Sequence, residues 1–134
     1  MPSASLIKEF EQLVGKENVF SSEADRQSYA YDAAVLKPMI PSLVVRPTEV
    51  EQLGQVVKRC YEEGIPMTVR GSGTNLTGGT IPDCCDTIVI LTTGLNKILE
   101  INTEDLYATV QPGVITAKFA AAVAALPPGI QFSG

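Results

Sequence analysis

The chain has 134 residues, a formal net charge of −5, no histidine and 45% hydrophobic residues. A chain of this length can enclose one hydrophobic core, so the composition indicates a soluble globular domain. The acidic balance without a basic run argues against nucleic acid as a partner, and the apolar runs are too short to span a bilayer.

The three cysteines do not form a recognisable site. Cys84 and Cys85 are adjacent, so a disulfide between them would be strained, and no cysteine spacing suits zinc. We therefore expect no metal site and favour an incidental or structural role for these thiols. A reducing cytoplasm is the expected location.

Two helices are predicted at the start of the chain. The first covers residues 3–14 and carries an apolar stripe made of Leu6, Phe10, Leu13 and Val14. Ser22 and Asp25 are placed to cap a second, short helix that ends near Tyr29. Tyr29 and Tyr31 are interpreted as packing residues rather than ligands.

A strand–helix–strand unit follows. Leu43–Val45 is a short β-branched run that Pro47 ends, and Thr48 with Glu51 forms a predicted capping box for the next helix. That helix carries an apolar stripe made of Val50, Leu53, Val56, Val57, Cys60 and Tyr61. Gly64 and Pro66 then stop it, and the second strand is predicted at Met67–Val69. Such a unit predicts two neighbouring parallel strands with the helix on one face.

The second half of the chain contains three more predicted strands and one helix. The strands cover residues 87–92, 98–101 and 106–110. An alanine-rich helix over residues 116–126 has Phe119, Val123 and Leu126 on one side. Pro127-Pro128-Gly129 stops it.

A glycine-rich loop leaves the second strand of the strand–helix–strand unit. Residues 69–80 read Val-Arg-Gly-Ser-Gly-Thr-Asn-Leu-Thr-Gly-Gly-Thr. Glycine accepts a positive φ without steric cost, and several N–H groups directed to one point form a nest for phosphate oxygens. No Gly-Lys-Ser/Thr occurs, so the loop is not a Walker loop, and Leu76 occupies the place of the third Rossmann glycine. The alternative is a loop that only reverses the chain.

The glycine loop and its flanks together resemble a known family. The similar segments are Val45–Glu51, Pro66–Asn75, Gly78–Thr80 and Val110–Val114. In that order they resemble the FAD-binding domain of the vanillyl-alcohol oxidase and p-cresol methylhydroxylase type. Within that superfamily the chain is most similar to the flavin subunit of glycolate oxidase and to its D-lactate dehydrogenase relatives. The resemblance covers roughly residues 5–126 and implies FAD as the cofactor.

The resemblance also implies roles for individual residues. Five successive residues would hold the FAD pyrophosphate: Gly71, Ser72, Gly73, Thr74 and Asn75. Five others would shape the rest of the site: Pro47 near the adenine end, Gly78 and Gly79 where the backbone passes the cofactor, and Pro112 and Gly113 in a turn on the flavin side.

Arg70 and Thr74 carry two further expectations. Arg70 either offsets phosphate charge or pairs with a local carboxylate. Relatives that bind flavin covalently through this loop have histidine where Thr74 stands. The resemblance therefore implies non-covalent flavin.

The expected fold class is α/β (α+β), with a small mixed sheet, a parallel βαβ start and flanking helices. It would be the first of two subdomains of an FAD-binding domain. Residues 1–32 would form an N-terminal helical segment, residues 40–126 the pyrophosphate-binding subdomain and residues 127–134 an atypical tail. The second subdomain and the substrate domain are expected to be absent, so the chain is interpreted as a fragment.

The family's chemistry is oxidation of a 2-hydroxy acid such as glycolate or D-lactate, with hydride transfer to the flavin. No catalytic residue is assigned, and Asp32, Asp83, Asp86 and Glu100 are interpreted as solvated surface carboxylates. We expect the chain alone to hold flavin weakly or not at all, to be inactive and to form a homo-oligomer. The alternatives are a non-catalytic nucleotide-binding module and a ligand-free fragment stabilised by self-association.

Overall fold

A computed structural model describes residues 2–132. The helices are α1 (Ala4–Val14), α2 (Glu23–Gln27), α3 (Val50–Glu62) and α4 (Thr116–Ala124). The strands are β1 (Val19–Phe20), β2 (Leu43–Val45), β3 (Met67–Arg70), β4 (Ile88–Leu91), β5 (Ile98–Asn102) and β6 (Tyr107–Val110). Short 3-10 turns cover Lys16–Asn18 and Thr92–Gly94. The first residue of the predicted 1–32 segment and the last two of the 127–134 tail lie outside the described residues.

Four strands form a mixed sheet in the order β1-β2-β4-β3. β1 is antiparallel to β2, whereas β4 runs parallel to both β2 and β3. The mixed sheet with parallel strands and flanking helices confirms the expected fold class. The prediction that Leu43–Val45 lies beside Met67–Val69 is wrong, however, because β4 lies between them.

The burial of the strands explains why β4 takes the central place. All four residues of β4 are buried, as are all three of β2. A parallel strand that is covered on both faces has a continuous apolar sequence, and Ile-Val-Ile-Leu is such a run. β3 leaves Val69 57% exposed, which suits the edge of a sheet.

The main core lies between one face of the sheet and the helices α1 and α3. Its buried residues are Leu6, Phe10, Val14, Val19, Leu43, Val45, Val56, Cys60, Ile88 and Ile90. On the opposite face Val44, Val89 and Leu91 form a smaller cluster. The rings of Phe20 and Tyr29 cover this cluster, with their centroids 5.8 Å apart. The packing roles predicted for α1 and Tyr29 are confirmed, whereas Tyr31 is 56% exposed.

The helix ends agree in part with the predictions. Ser3 and Ser22 are the N-caps of α1 and α2, and each side chain accepts a backbone N–H bond. The predicted capping box of α3 is displaced by one residue: Glu49 is the N-cap, and Gln52 Oε1 accepts from its backbone N–H at 3.2 Å.

The predicted apolar stripe of α3 is too wide. Val56 and Cys60 are buried and Leu53 packs against the core. Val50, Val57 and Tyr61 are exposed, because the helix contacts the sheet along a narrow strip.

The strands β5 and β6 form a separate antiparallel hairpin. Leu106, which was predicted to begin β6, lies in the turn with a φ of 58°. α4 ends at Ala124, two residues before the predicted Leu126. After it the chain folds back, and the rings of Phe119 and Phe132 meet edge to face at a centroid distance of 4.9 Å. A cavity of about 400 Å³ lies between the hairpin and this returning segment.

Candidate functional site

The carboxyl ends of the three parallel strands meet at one edge of the sheet. β2 leads there into Arg46-Pro47, β3 into the glycine loop and β4 into the Thr92–Gly94 turn. The hydroxyl of Thr92 donates to the carbonyl oxygen of Arg70 at 3.3 Å, which ties the start of the glycine loop to the end of β4. Open α/β sheets bind ligands at this kind of edge.

Two glycines of the loop have positive φ values. Gly73 and Gly78 have φ values of 74° and 75°, a region that residues with a side chain rarely adopt. Ser72 and Thr74 are exposed, whereas Gly73 and Asn75 are half-buried. Within residues 2–132, no backbone N–H of residues 71–75 is recorded as donating a hydrogen bond. These donors are therefore available to phosphate oxygens.

Arg70 is buried beneath the glycine loop rather than extended above it. Its side chain is 6% exposed, and Nη1 donates to the carbonyl oxygen of Tyr31 at 2.6 Å. The guanidinium carbon lies 5.7 Å from the centroid of the Tyr29 ring, within cation–π range. A Cβ atom added at Gly73 would collide with the same guanidinium. Arg70 thus supports Gly73 from below, and no ion pair of Arg70 is found among residues 2–132.

Asp32 connects the segment after α2 to the glycine loop. Its Oδ2 accepts from Asn75 Nδ2 at 2.6 Å and from Thr80 Oγ1 at 3.2 Å. Its Oδ1 accepts from the backbone N–H of Ala34 at 2.8 Å. The single hydroxyl proton of Thr80 is shared between Asp32 Oδ2 and Asn75 Oδ1, which lies 3.0 Å from Thr80 Oγ1. The interpretation of Asp32 as a solvated surface carboxylate is therefore wrong, since its two oxygens bind three donors.

The contacts of Asp32 also set its charge state. Partial desolvation raises the pKa of Asp32, but the hydrogen bonds from Ala34, Asn75 and Thr80 and the charge of Arg70 outweigh it, so the pKa lies below its ordinary value. The carboxylate is consequently ionised at neutral pH. Asp83, Asp86 and Glu100 are exposed, as expected.

A second close-packed region joins Pro47 to Gly113. Pro47 is fully buried, and its carbonyl oxygen lies against Gly94 in the turn after β4. A Cβ atom at Gly113 would collide with the carbonyl oxygens of Thr92 and Leu95. The backbone N–H of Gly113 donates to the carbonyl oxygen of Leu95 at 2.7 Å. Gly113 therefore allows the turn after β6 to approach the backbone of Thr92 and Leu95 more closely than a residue with a Cβ atom would.

One cavity brings the two predicted halves of the site together. Its volume is about 250 Å³, and it is lined by Ser72, Thr93, Asn96, Ile98, Gly113, Val114, Ile115 and Lys118. Ser72 comes from the glycine loop and Gly113 from the turn after β6. The cationic side chain of Lys118 stands at the same opening, which favours an anionic ligand.

Other predicted site residues occupy different positions. Gly78 lies against Leu36, whereas Gly79 has only ordinary contacts and Pro112 is exposed. Asn75 uses its side-chain amide on Asp32 and Thr80. The sequence analysis missed Thr80 and the role of Asp32. No local pattern marks Asp32, because its partners in the glycine loop, Asn75 and Thr80, lie more than forty residues further along the chain.

The thiols lie apart from this region. Burial raises the pKa of Cys60 to about 11, whereas the hydrogen bond with Thr87 lowers the pKa of exposed Cys84. In residues 2–132 no group of His, Cys, Asp and Glu is arranged to hold a metal ion. No helix in the same range has the length and apolarity to cross a membrane.

Comparisons with known proteins identify relatives of this region. A family profile described as "FAD binding domain" matches residues 41–127. The chain is 43% identical over 112 residues to the glycolate oxidase subunit GlcD of Bacillus subtilis, covering 84% of this chain and 24% of that protein. It is 29% identical over 110 residues to a D-lactate dehydrogenase of Anaerostipes hadrus, covering 82% of this chain and 23% of that protein.

The fold also matches solved structures. A p-cresol methylhydroxylase with substrate bound superposes with a TM-score of 0.80 at 28% identity, covering 90% of this chain and 24% of that one. The chain spans about a quarter of the length of the relatives that it matches. The predicted resemblance is thus confirmed. The chain matches only one part of each of these longer proteins.

Proposed function

Since the chain belongs to the FAD binding domain family, we propose that it forms the pyrophosphate-binding part of a flavoprotein that oxidises a 2-hydroxy acid. Glycolate and D-lactate are the substrates named for its relatives. Residues 40–126 form the subdomain that holds the cofactor. The free thiols agree with a reducing cytoplasm.

The observation that carries this proposal is the glycine loop at the carboxyl edge of the parallel strands. Among residues 2–132 the N–H groups of residues 71–75 donate no hydrogen bond, and Gly73 has the positive φ that allows successive N–H groups to form an anion nest. Gly113 and Ser72 line a common cavity, which suits one ligand that extends from the loop toward the turn. The residues present therefore fit the diphosphate of FAD.

When bound, FAD supplies the electron-pair acceptor for the oxidation. The residues of this chain bind and orient it: the loop N–H groups hold the diphosphate, and Gly113, which lines the cavity, lets the turn after β6 pack against the backbone of Thr92 and Leu95. The chain has no histidine, and Thr74 stands where relatives with covalent flavin have one, so the flavin is held non-covalently. No residue of the chain is assigned as the catalytic base.

A chimera tests the proposal. The chimera is the Bacillus subtilis glycolate oxidase subunit with its matched region replaced by this chain. We expect it to purify with stoichiometric flavin, because the 43% identity covers the whole glycine loop, and to release that flavin on denaturation. The visible absorption of oxidised flavin, relative to the native subunit purified in parallel, measures the outcome.

A folded chimera without flavin, beside a native subunit with flavin, contradicts the proposal. A second chimera, which carries only residues 67–80 of this chain, is the control for poor packing between the rest of this chain and the host protein. Flavin in the small chimera and not in the large one would still contradict the proposed role of the region around Gly113.

The chain by itself is expected to purify colourless and to self-associate. Half of an FAD site gives too few contacts to retain the cofactor, and large exposed apolar patches are rare in monomers. The exposed apolar side chains here include Val69 on the free edge of β3 and, on or beside the hairpin, Leu99, Leu106, Tyr107 and Val110. Light scattering measures the assembly and an absorbance scan the flavin. A monomer would argue against the first expectation, and a stoichiometric flavin spectrum against the second.

A further inference from the structure

The segment that follows α2 contacts the glycine loop at four places. The carbonyl oxygen of Tyr31 accepts from Arg70, the carboxylate of Asp32 binds Asn75 and Thr80, and the side chain of Leu36 lies against Gly78. These contacts cover the beginning, the middle and the end of the loop. The loop itself has few internal bonds, apart from those of Thr80 with Asn75 and of Ile81 N–H with the carbonyl of Gly78. Its shape therefore depends on a segment about forty residues earlier in the chain.

Asp32 is the residue of that segment with the most bonds to the loop. An ionised carboxylate forms stronger hydrogen bonds than a neutral acceptor, and the donors come from both sides of it. The backbone N–H of Ala34 binds Oδ1, while Oδ2 accepts from Asn75 and Thr80. The same charge lies near the buried guanidinium of Arg70, which supports Gly73.

We propose that Asp32 is a positioning residue for the cofactor: through Asn75 and Thr80 it holds the glycine loop so that the N–H groups of residues 71–75 face the phosphates of FAD. It makes no contact with the cofactor itself. The inference rests on the proposed function, and it assigns the side chain of Asn75 to the loop rather than to the ligand.

Trypsin reports the state of the loop in the chain without any cofactor. The Arg70–Gly71 bond is protected while Arg70 is buried and bound to Tyr31. The bonds after Lys58 and Arg59 lie inside α3 and are cut only when the helix unfolds. Cleavage after Arg70 thus measures loosening of the loop, and cleavage in α3 measures global unfolding.

We expect Asp32→Ala to speed cleavage after Arg70 about tenfold, because the loop loses its charged acceptor, and to leave cleavage in α3 unchanged. Asp83→Ala is the matched control, since it removes an exposed carboxylate from the connection between β3 and β4, which contains the glycine loop. Unchanged cleavage after Arg70, or an equal increase at all three bonds, would overturn the positioning role.

The flavin chimera tests the cofactor part of the inference. Asp32→Ala should weaken FAD binding about tenfold, Asn75→Ala should do the same, and the double variant should be no weaker than either. Additive losses would mean that Asn75 contacts the cofactor directly, and unchanged affinity in Asp32→Ala would mean that the loop needs no positioning; either result overturns the inference while the proposed function stands. A wild-type chimera without flavin refutes the proposed function and the cofactor part together, whereas the tryptic experiment still decides whether Asp32 holds the loop.

Discussion

Replacing Gly73 by valine is expected to remove flavin from the chimera and to destabilise the chain. The φ of 74° at this position is strained for any β-branched residue. The new Cβ would also collide with the guanidinium of Arg70, which cannot move freely because it is buried against Tyr29 and bound to Tyr31. Backbone strain of this kind costs about 1 to 3 kcal/mol. Thermal unfolding and the flavin-to-protein absorbance ratio measure the two effects.

Gly54→Val is the matched control for Gly73→Val. Gly54 lies on the exposed side of α3, and an added Cβ there meets nothing within 4 Å. The control should keep its flavin and its stability. Equal flavin content in both variants would argue against a role of Gly73 in cofactor binding.

Gly113→Val is expected to have an effect of similar size through a different cause. Here the obstacle is the backbone, because the carbonyl oxygens of Thr92 and Leu95 leave no space for a Cβ atom. A Cβ at Gly113 would lie 2.7 Å from the carbonyl oxygen of Leu95. These atoms belong to the turn that follows the central strand β4, so the clash separates the two turns or shifts the strand. Overpacking against fixed neighbours costs about 1 to 3 kcal/mol, and chemical denaturation of the chain measures it.

The structure offers a control for Gly113 within the same site. Gly71 also faces Thr92, but a Cβ there would meet only the hydroxyl of Thr92, at 3.8 Å. Gly71→Ala should therefore unfold at the same denaturant concentration as the wild type. If Gly113→Val unfolded at the same denaturant concentration as Gly71→Ala, the close approach between the two turns would not be a determinant of stability.

Local sequence patterns predicted most of the elements. Capping serines such as Ser3 and Ser22, the apolar periodicity of α1 and the short β-branched run of β2 depend on neighbouring residues only. The glycine loop was also recognisable, because its spacing and its flanks are local features. The N-cap of α3 was displaced by one residue. Threonine is the residue type that favours an N-cap, but the helix begins at Val50, and Gln52 Oε1 accepts from the backbone N–H groups of both Thr48 and Glu49.

The features that could not be predicted depend on contacts between distant segments. The central place of β4 follows from burial on both faces, for which the run of four apolar residues was the available signal. The role of Asp32 had no signal of this kind, because a single aspartate after Tyr31 is typical of a solvated loop. Only the fold brings it to Asn75 and Thr80.

The place of β4 between β2 and β3 means that these two strands have no partner on their facing edges until β4 is present. During synthesis β2, α3 and β3 leave the ribosome before the strand that belongs between them, so the facing edges of β2 and β3 have no partner at that stage. Closing the connection over residues 71–87 costs chain entropy, which the pairing and burial of β4 offset. The connection that contains the glycine loop is therefore fixed at both ends only when β4 is paired, and a chain that ends before Ile88 leaves the facing edges of β2 and β3 unpaired.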